Sequence, residues 1–176
     1  MHAVYTVGGA VVAGPSSWCD ARTALIANIP DSQLSGSGFI DNNPQAGYHR
    51  SRLHTQRNDD GNDGRGAWVT DENRVGEYIQ ADFGQLQRIK AIATQGMAGV
   101  SHRVKSYKFA YSTDGVTYHY VTSDDDGSDR VFGGNVDRDT VVEHSLDVPI
   151  VARFVRLYPQ TWYSRISLRW EVYGCS

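Results

Sequence analysis

The sequence has few cysteines, few methionines and no long apolar run. Its 176 residues include two cysteines and two methionines, and no stretch approaches the roughly 20 apolar residues that cross a bilayer. The cysteines, Cys19 and Cys175, lie too far apart for a local metal or redox motif. They fit one disulfide that joins the two ends of the folded part; two unrelated buried thiols are the alternative. Such a bridge indicates an oxidising compartment, and therefore a secreted or extracellular protein.

An excess of positive charge is also lacking. Lys and Arg number 17 against 20 Asp and Glu, for a net charge of −3. Since nucleic-acid binding favours a strongly basic balance, this composition argues against a nucleic-acid partner. None of the six histidines lies in an H-E-x-x-H motif, and no G-x-S-x-G motif occurs. We therefore expect no enzymatic activity.

Alternation of apolar and polar residues dominates the second half of the chain. Three segments have an apolar side chain at every second position: Ile79, Ala81 and Phe83; Tyr107, Phe109 and Tyr111; and Ile166, Leu168, Trp170 and Val172. This period is typical of half-buried strands. Asp114-Gly115 is a hairpin signal, and no window of helical length shows a 3.6-residue stripe. The pattern predicts an all-β antiparallel sandwich or barrel.

Two segments differ in composition from the rest of the chain. Residues 1–17 are mostly apolar, carry no Lys or Arg and are interrupted by Gly8-Gly9, which makes a poor signal peptide. We interpret them as a lead-in segment and residues 18–176 as one domain. Within that domain, residues 35–66 are polar and glycine-rich without strand patterning. Loops of that length in a compact domain are usually functional or disordered.

Several motifs then occur in a defined order. After Trp68 and Asn73 comes Y-I-Q-A-D-F-G, followed by I-K-A-I-A-T-Q-G; later come P-I-V-A-R-F-V-R, P-Q-T-W and finally S-L-R-W-E-V-Y-G-C. From Cys19 to Cys175 the chain resembles discoidin domains, also called coagulation factor V/VIII type C domains, and is most similar in character to the discoidin-type lectins.

This resemblance implies an eight-stranded, antiparallel, jelly-roll-like sandwich with a terminal disulfide between Cys19 and Cys175. It also implies three loops at one end: loop 1 (residues 36–50), loop 2 (55–66) and loop 3 (97–103). Motif residues are expected to serve in core packing and inward salt bridges: Trp68, Asp82, Arg156, Trp162 and Arg169.

Members of this family bind galactose-type sugars, phosphatidylserine membranes or proteins such as collagen. A sugar site needs a flat aromatic ring and paired hydrogen-bonding groups, and the loops supply both. We predict recognition of cell-surface or matrix glycans, of the galactose or N-acetylgalactosamine type, in cell adhesion. The predicted ligand-binding residues are Phe39, Tyr48, His49, Arg50, Arg57, Asp59, Asp60, His102 and Arg103. For Tyr48 and His49, packing at the loop base is an equal alternative.

Two other partners stay open at this point. Insertion into an anionic phospholipid membrane would use the apolar loop residues Phe39, Ile40, Met97 and Val100. These are less bulky than the aromatics of the family's membrane binders, which favours the sugar. A protein receptor is the third partner, although no sequence feature identifies one.

Calcium is a secondary hypothesis, and no other cofactor is expected. Asp59, Asp63 and Gly64 fall at positions one, five and six of an EF-hand loop, but position twelve is Thr70 and no flanking helices are predicted. An EF-hand is therefore excluded, which leaves Asp59 and Asp63 as candidate ligands for a calcium held by loop oxygens.

Overall fold

The computed structural model describes residues 5–7, 10–12, 22–58, 61 and 64–175. The predicted domain boundary at residues 17 and 18 lies outside these residues. So does Cys19, and the disulfide therefore stays a prediction. The strands are β1 (Tyr5–Val7), β2 (Ala10–Val12), β3 (Thr23–Ala24), β4 (Leu34–Gly36), β5 (Trp68–Val69), β6 (Ile79–Gln95), β7 (Arg103–Ser112), β8 (His119–Tyr120), β9 (Val131–Gly133), β10 (Val142–Tyr163) and β11 (Ser167–Cys175).

Nine of these strands form one antiparallel sheet, and β1 and β2 form a separate pair. The main order is β3-β11-β6-β10-β7-β8, with β4 on β6, β5 on β11 and β9 on β7. The first residues of β6 pair with β4 and its last residues pair with β11, so β6 passes from one layer to the other. Its partner β10 has register shifts between Ser145 and Ile150 and between Ala152 and Phe154, where bulges let a strand bend. The predicted all-β sandwich is confirmed, with nine strands rather than eight.

The alternating residues of the sequence form the core. Ile79, Ala81, Tyr107 and Phe109 are inaccessible to solvent, and Phe83 is nearly so. The four apolar residues at the end of the chain are also inaccessible, namely Ile166, which precedes β11, and Leu168, Trp170 and Val172 within it. Tyr111, at the end of β7, is partly exposed. Trp68 and Trp170 are the largest buried side chains. Alternation thus identified the inward face in β6, β7 and β11, as expected for sheets that bury one side.

The hairpin signal is also confirmed. β7 and β8 pair across the Asp114-Gly115 turn, where Gly115 has a φ of 76°. The Asp114 carboxylate accepts hydrogen bonds from the backbone of Val116 and Thr117, at 2.8 and 2.9 Å. These bonds fix the turn locally, which is why it could be read from sequence.

The polar framework residues only partly match the expected inward salt bridges. Arg169 is fully buried, yet its hydrogen bonds are mainly to backbone carbonyls, including that of Gly96 at 2.7 Å. Arg156 lies between the rings of Tyr78 and Tyr118, at 4.4 and 3.8 Å from their centroids. Asp82 pairs with Arg153, and both side chains are partly exposed. The expectation was wrong for Arg156 and Asp82, because both lie outside the core.

Strand pairing brings the three predicted loops to one end of the sandwich. Arg103, which begins β7, pairs with Tyr163 at the end of β10, and Gln95 at the end of β6 pairs with Arg169. Loop 1 folds as three short 3₁₀ turns, Ile40–Asn42, Pro44–Ala46 and Tyr48–Ser51. Among the described residues, no helix has the length and apolar character of a membrane-spanning segment.

Candidate functional site

Backbone hydrogen bonds join the three loops into one surface. The Arg65 amide in loop 2 donates to the Gln45 carbonyl in loop 1 at 2.7 Å. The Ala98 amide in loop 3 donates to the Gly66 carbonyl at 3.1 Å. A Cβ at Gly66 would lie 2.3 Å from the Ala98 carbonyl oxygen, so only glycine allows this approach. The loops therefore hold a defined relative position.

A cleft of about 200 Å³ opens where the loops meet. Each loop contributes two described residues to its lining, namely Asn43, Gln45, Arg57, Arg65, Met97 and Val100. Two amides and two guanidinium groups offer hydrogen bonds beside the apolar side chains of Met97 and Val100. This is the combination that small polar ligands use, namely an apolar contact surface with a few directed polar groups.

Among the described residues, Arg57 is the one predicted ligand-binding residue in this lining. Its side chain is exposed, and its stem lies against loop 3, where a Cβ at Gly99 would be 3.4 Å from the Arg57 Cδ. Gly99 has a φ of 81°, a conformation that favours glycine. The lining also contains Arg65, which sequence reasoning missed.

Arg50 is not placed for ligand contact. Its side chain is only 4% exposed, and its guanidinium donates to the Arg65 carbonyl at 2.7 Å and to the Gln56 carbonyl at 2.6 Å. Buried carbonyls need such partners. The prediction for Arg50 is therefore corrected: Arg50 fixes the backbone of loop 2 from below.

The predicted aromatic ring for sugar stacking is also turned away from the cleft. Phe39 and Tyr48 pack edge to face, with ring centroids 5.2 Å apart, against the main core. The Tyr48 hydroxyl donates to the Gly36 carbonyl at 3.0 Å, and burial raises the pKa of this hydroxyl above its usual value. His49 is partly buried and lies outside the cleft lining. Packing at the loop base, the alternative for Tyr48 and His49, describes their positions.

His102 and Arg103 lie next to the cleft but do not line it. Burial lowers the pKa of His102, and the positive charges of Arg165 and Arg65 lower it further, so the ring is neutral at pH 7. Its Nδ1 is buried without a hydrogen-bond partner. The Arg103 guanidinium stacks over the Tyr163 ring at 4.2 Å from the centroid and donates to the Ser101 carbonyl. Both side chains support the end of loop 3.

The apolar residues named for membrane insertion face inward. Met97 is only 3% exposed and packs in a small cluster with Ala46, Ala67 and Val69. Ile40 and Val100 are partly buried against the same cluster. Insertion needs apolar side chains that project into the bilayer. Met97 is therefore too buried for this role, whereas Phe39, Ile40 and Val100 are partly exposed and their insertion stays a prediction.

The acidic part of loop 2 is not tested by the structure, because Asp59, Asp60 and Asp63 lie outside the described residues. Within the part of the chain that is described, no three His, Cys, Asp or Glu side chains cluster in a way that could hold a metal ion. Calcium binding at Asp59 and Asp63 thus stays a prediction.

Comparisons with known proteins agree with this architecture. A sequence model of the F5/8 type C domain matches residues 40–172. Mouse (Mus musculus) lactadherin is 37% identical over 153 residues, which cover 84% of this chain and 31% of lactadherin. The chain thus spans about a third of the length of that relative.

Solved structures give the same result. Discoidin II of Dictyostelium discoideum superposes with a TM-score of 0.77 at 28% identity, covering 89% of this chain and 60% of discoidin II. The family 32 carbohydrate-binding module of C. perfringens NanJ, solved in complex with galactose, superposes with a TM-score of 0.58 at 13% identity, covering 89% of this chain and all of the module. The second likeness concerns the fold alone. The chain belongs to the F5/8 type C, or discoidin, domain family.

Proposed function

We propose that the chain binds carbohydrate in the cleft between its three loops, as a non-catalytic extracellular module of cell adhesion. The observation that carries this proposal is the composition of the cleft. Amide and guanidinium groups of Gln45, Asn43, Arg57 and Arg65 can pair with sugar hydroxyls, and the partly exposed Val100 offers an apolar surface to the ring carbons.

The family relationship supports the same proposal. The discoidin II structure shares the fold at 28% identity, and the motifs in this sequence resemble the discoidin-type lectins. A cleft of about 200 Å³ accommodates one sugar unit and buries little surface, so we expect weak binding at each site. Useful strength then requires several copies that act together.

A glycan array probed with the full chain, with and without calcium, tests the proposal. We expect retained glycans to share a terminal sugar, and the variant Gln45→Ala to lose retention. Gln85→Ala is the matched control, because Gln85 is an exposed glutamine on β6, outside the three loops. A signal no higher than background for every glycan would contradict the proposal.

Anionic phospholipid membranes are the alternative partner, in keeping with the similarity to lactadherin. Sedimentation with phosphatidylserine vesicles separates the two candidates. Sedimentation that is abolished by Ile40→Ser together with Val100→Ser would favour the membrane. We favour the glycan because these two side chains pack partly inward.

A further inference from the structure

Most arginine side chains of this chain form an ion pair or a hydrogen bond with a described residue. The two arginines that line the cleft differ from them in this respect. Seven of the arginines form ion pairs with described residues: Arg22 with Glu143, Arg52 with Asp31, Arg74 with Glu77, Arg130 with Asp147, Arg138 and Arg169 with Asp139, and Arg153 with Asp82. Four more donate to backbone carbonyls or to neutral side chains: Arg50, Arg103, Arg156 and Arg165. The fold therefore rarely leaves a guanidinium without a partner.

Three arginine side chains have no hydrogen bond or ion pair to any described residue: Arg57, Arg65 and Arg88. Arg88 is isolated on β6, whereas Arg57 and Arg65 line the same cleft. Two guanidinium groups that no described carboxylate neutralises, around a space of about 200 Å³, are favoured by an anion that lies between them. The positive charge of Arg65 also acts on His102, since it contributes to the lowered pKa of that ring.

The cleft also positions both arginines in advance. The backbone of Arg65 is held from two sides, because its amide donates to the Gln45 carbonyl and its carbonyl accepts from the Arg50 guanidinium at 2.7 Å. The stem of Arg57 lies against Gly99. A held backbone, as at Arg65, and a packed stem, as at Arg57, each lower the conformational entropy that is lost on binding.

A neutral hexose does not account for this arrangement. Stacking of an aromatic ring on the sugar is the usual source of binding energy for a neutral pyranose, and no aromatic residue is in the described lining. Phe39 and Tyr48 are committed to the core instead. Guanidinium groups, in contrast, pair with carboxylate and sulfate through two parallel hydrogen bonds, which are shorter and stronger than bonds to hydroxyls.

We infer that the cleft selects acidic glycans, with a carboxylate or sulfate group of the sugar held between Arg57 and Arg65. Gln45 and Asn43 then bind the neighbouring hydroxyls, and Val100 contacts the ring carbons. This inference rests on the proposed function, because it names the class of glycan that the same site binds.

Calorimetric titration of the full chain with galactose, galacturonic acid and galactose 6-sulfate tests it, since these sugars differ only at C6. We expect the two acidic sugars to bind at least about tenfold more tightly than galactose, because one charge-assisted hydrogen bond already corresponds to that factor. Their affinity should fall as salt concentration rises, whereas that of galactose should not.

Variants locate the effect. Arg57→Gln and Arg65→Gln should each weaken the binding of the acidic sugars about tenfold. They should weaken galactose much less, because the Gln amide still donates to a hydroxyl but carries no charge for an anionic group. The affinity of Arg57→Lys for the acidic sugars should lie between that of Arg57→Gln and that of the unmodified chain. Arg88→Gln removes the same charge away from the cleft and should change nothing. Thermal melting checks that the variants fold, which we expect because Arg57 is exposed and Arg65 is partly so.

The outcomes separate the two claims. Equal binding of galactose and galacturonic acid, or acidic-sugar binding that survives both Gln substitutions, would overturn the inference and leave the proposed function standing. Failure of all three sugars, combined with arginine-dependent sedimentation on phosphatidylserine vesicles, would overturn both and assign the cleft to a lipid headgroup.

Discussion

Replacement of Arg50 by Ala separates a residue that positions the loops from one that binds the ligand. In the structure the guanidinium is buried and donates to the carbonyls of Arg65 and Gln56. The substitution leaves both carbonyls without their charged donor, and each such bond corresponds to about 1.5–3 kcal/mol. We therefore expect the free energy of unfolding to fall by roughly 3–6 kcal/mol, a large part of the 5–15 kcal/mol of an ordinary domain.

Urea denaturation of Arg50→Ala measures this loss, and hydrogen exchange shows where it acts. Relative to the unmodified chain, exchange should accelerate more at the amides of loop 2 than at those of β6 and β11, because the two lost bonds hold loop 2. Glycan binding should weaken as a secondary effect of the displaced Arg65 backbone.

Arg57→Ala is the matched control for Arg50→Ala, because Arg57 lies in the same loop region but is exposed and unpaired among described residues. It should change stability by no more than about 0.5 kcal/mol and still weaken binding. An Arg50→Ala variant with unchanged stability and normal exchange, but without binding, would refute the positioning role and restore Arg50 as a ligand contact.

Three further predictions concern packing and pH. Gly66→Ala should cost about 1–3 kcal/mol and weaken glycan binding, since the added Cβ collides with the Ala98 carbonyl; a denaturation midpoint equal to that of the unmodified chain would show that loop 3 moves freely. Trp170→Ala should cost about 3–5 kcal/mol, because it empties a fully buried site and removes the hydrogen bond to Ser51; retention of a cooperative melt at the original temperature would contradict that burial. The lowered pKa of His102 means that the fold favours the neutral ring, so its contribution to stability is fully present above about pH 6.5 and is lost as pH falls through the folded-state pKa. Urea titrations between about pH 7 and pH 5 should show a smaller decline for His102→Asn than for the unmodified chain, and parallel declines would count against this assignment.

The fold was largely predictable because strand alternation is a local signal. Ile79, Ala81 and the β11 residues Leu168 and Trp170 face the core as their period-two spacing indicates. The Asp114-Gly115 turn is equally local, since its hydrogen bonds span three residues at most. The sheet has nine strands, whereas eight were predicted. A strand of two residues, such as β5, is too short to show an alternating pattern in the sequence.

The site was less predictable because long-range contacts decide which loop side chains face the cleft. Arg50 and Arg57 both lie in polar loop sequence, yet only Arg50 is buried, because its guanidinium donates hydrogen bonds to the carbonyls of Arg65 and Gln56. Arg65 was missed because its placement depends on Gln45, twenty residues earlier in the chain. The glycines on either side of Arg65 were the available signal, since they indicate a close backbone approach.

The most direct test of the central claim is a map of backbone amide chemical shifts while the full chain is titrated with galacturonic acid. The cleft predicts that the largest changes cluster at residues 43–45, 57, 65 and 97–100, with little change in β3 or in the Asp114-Gly115 turn. Chemical-shift changes centred outside the three loops, with the shifts of the cleft amides unchanged, would contradict binding in the cleft.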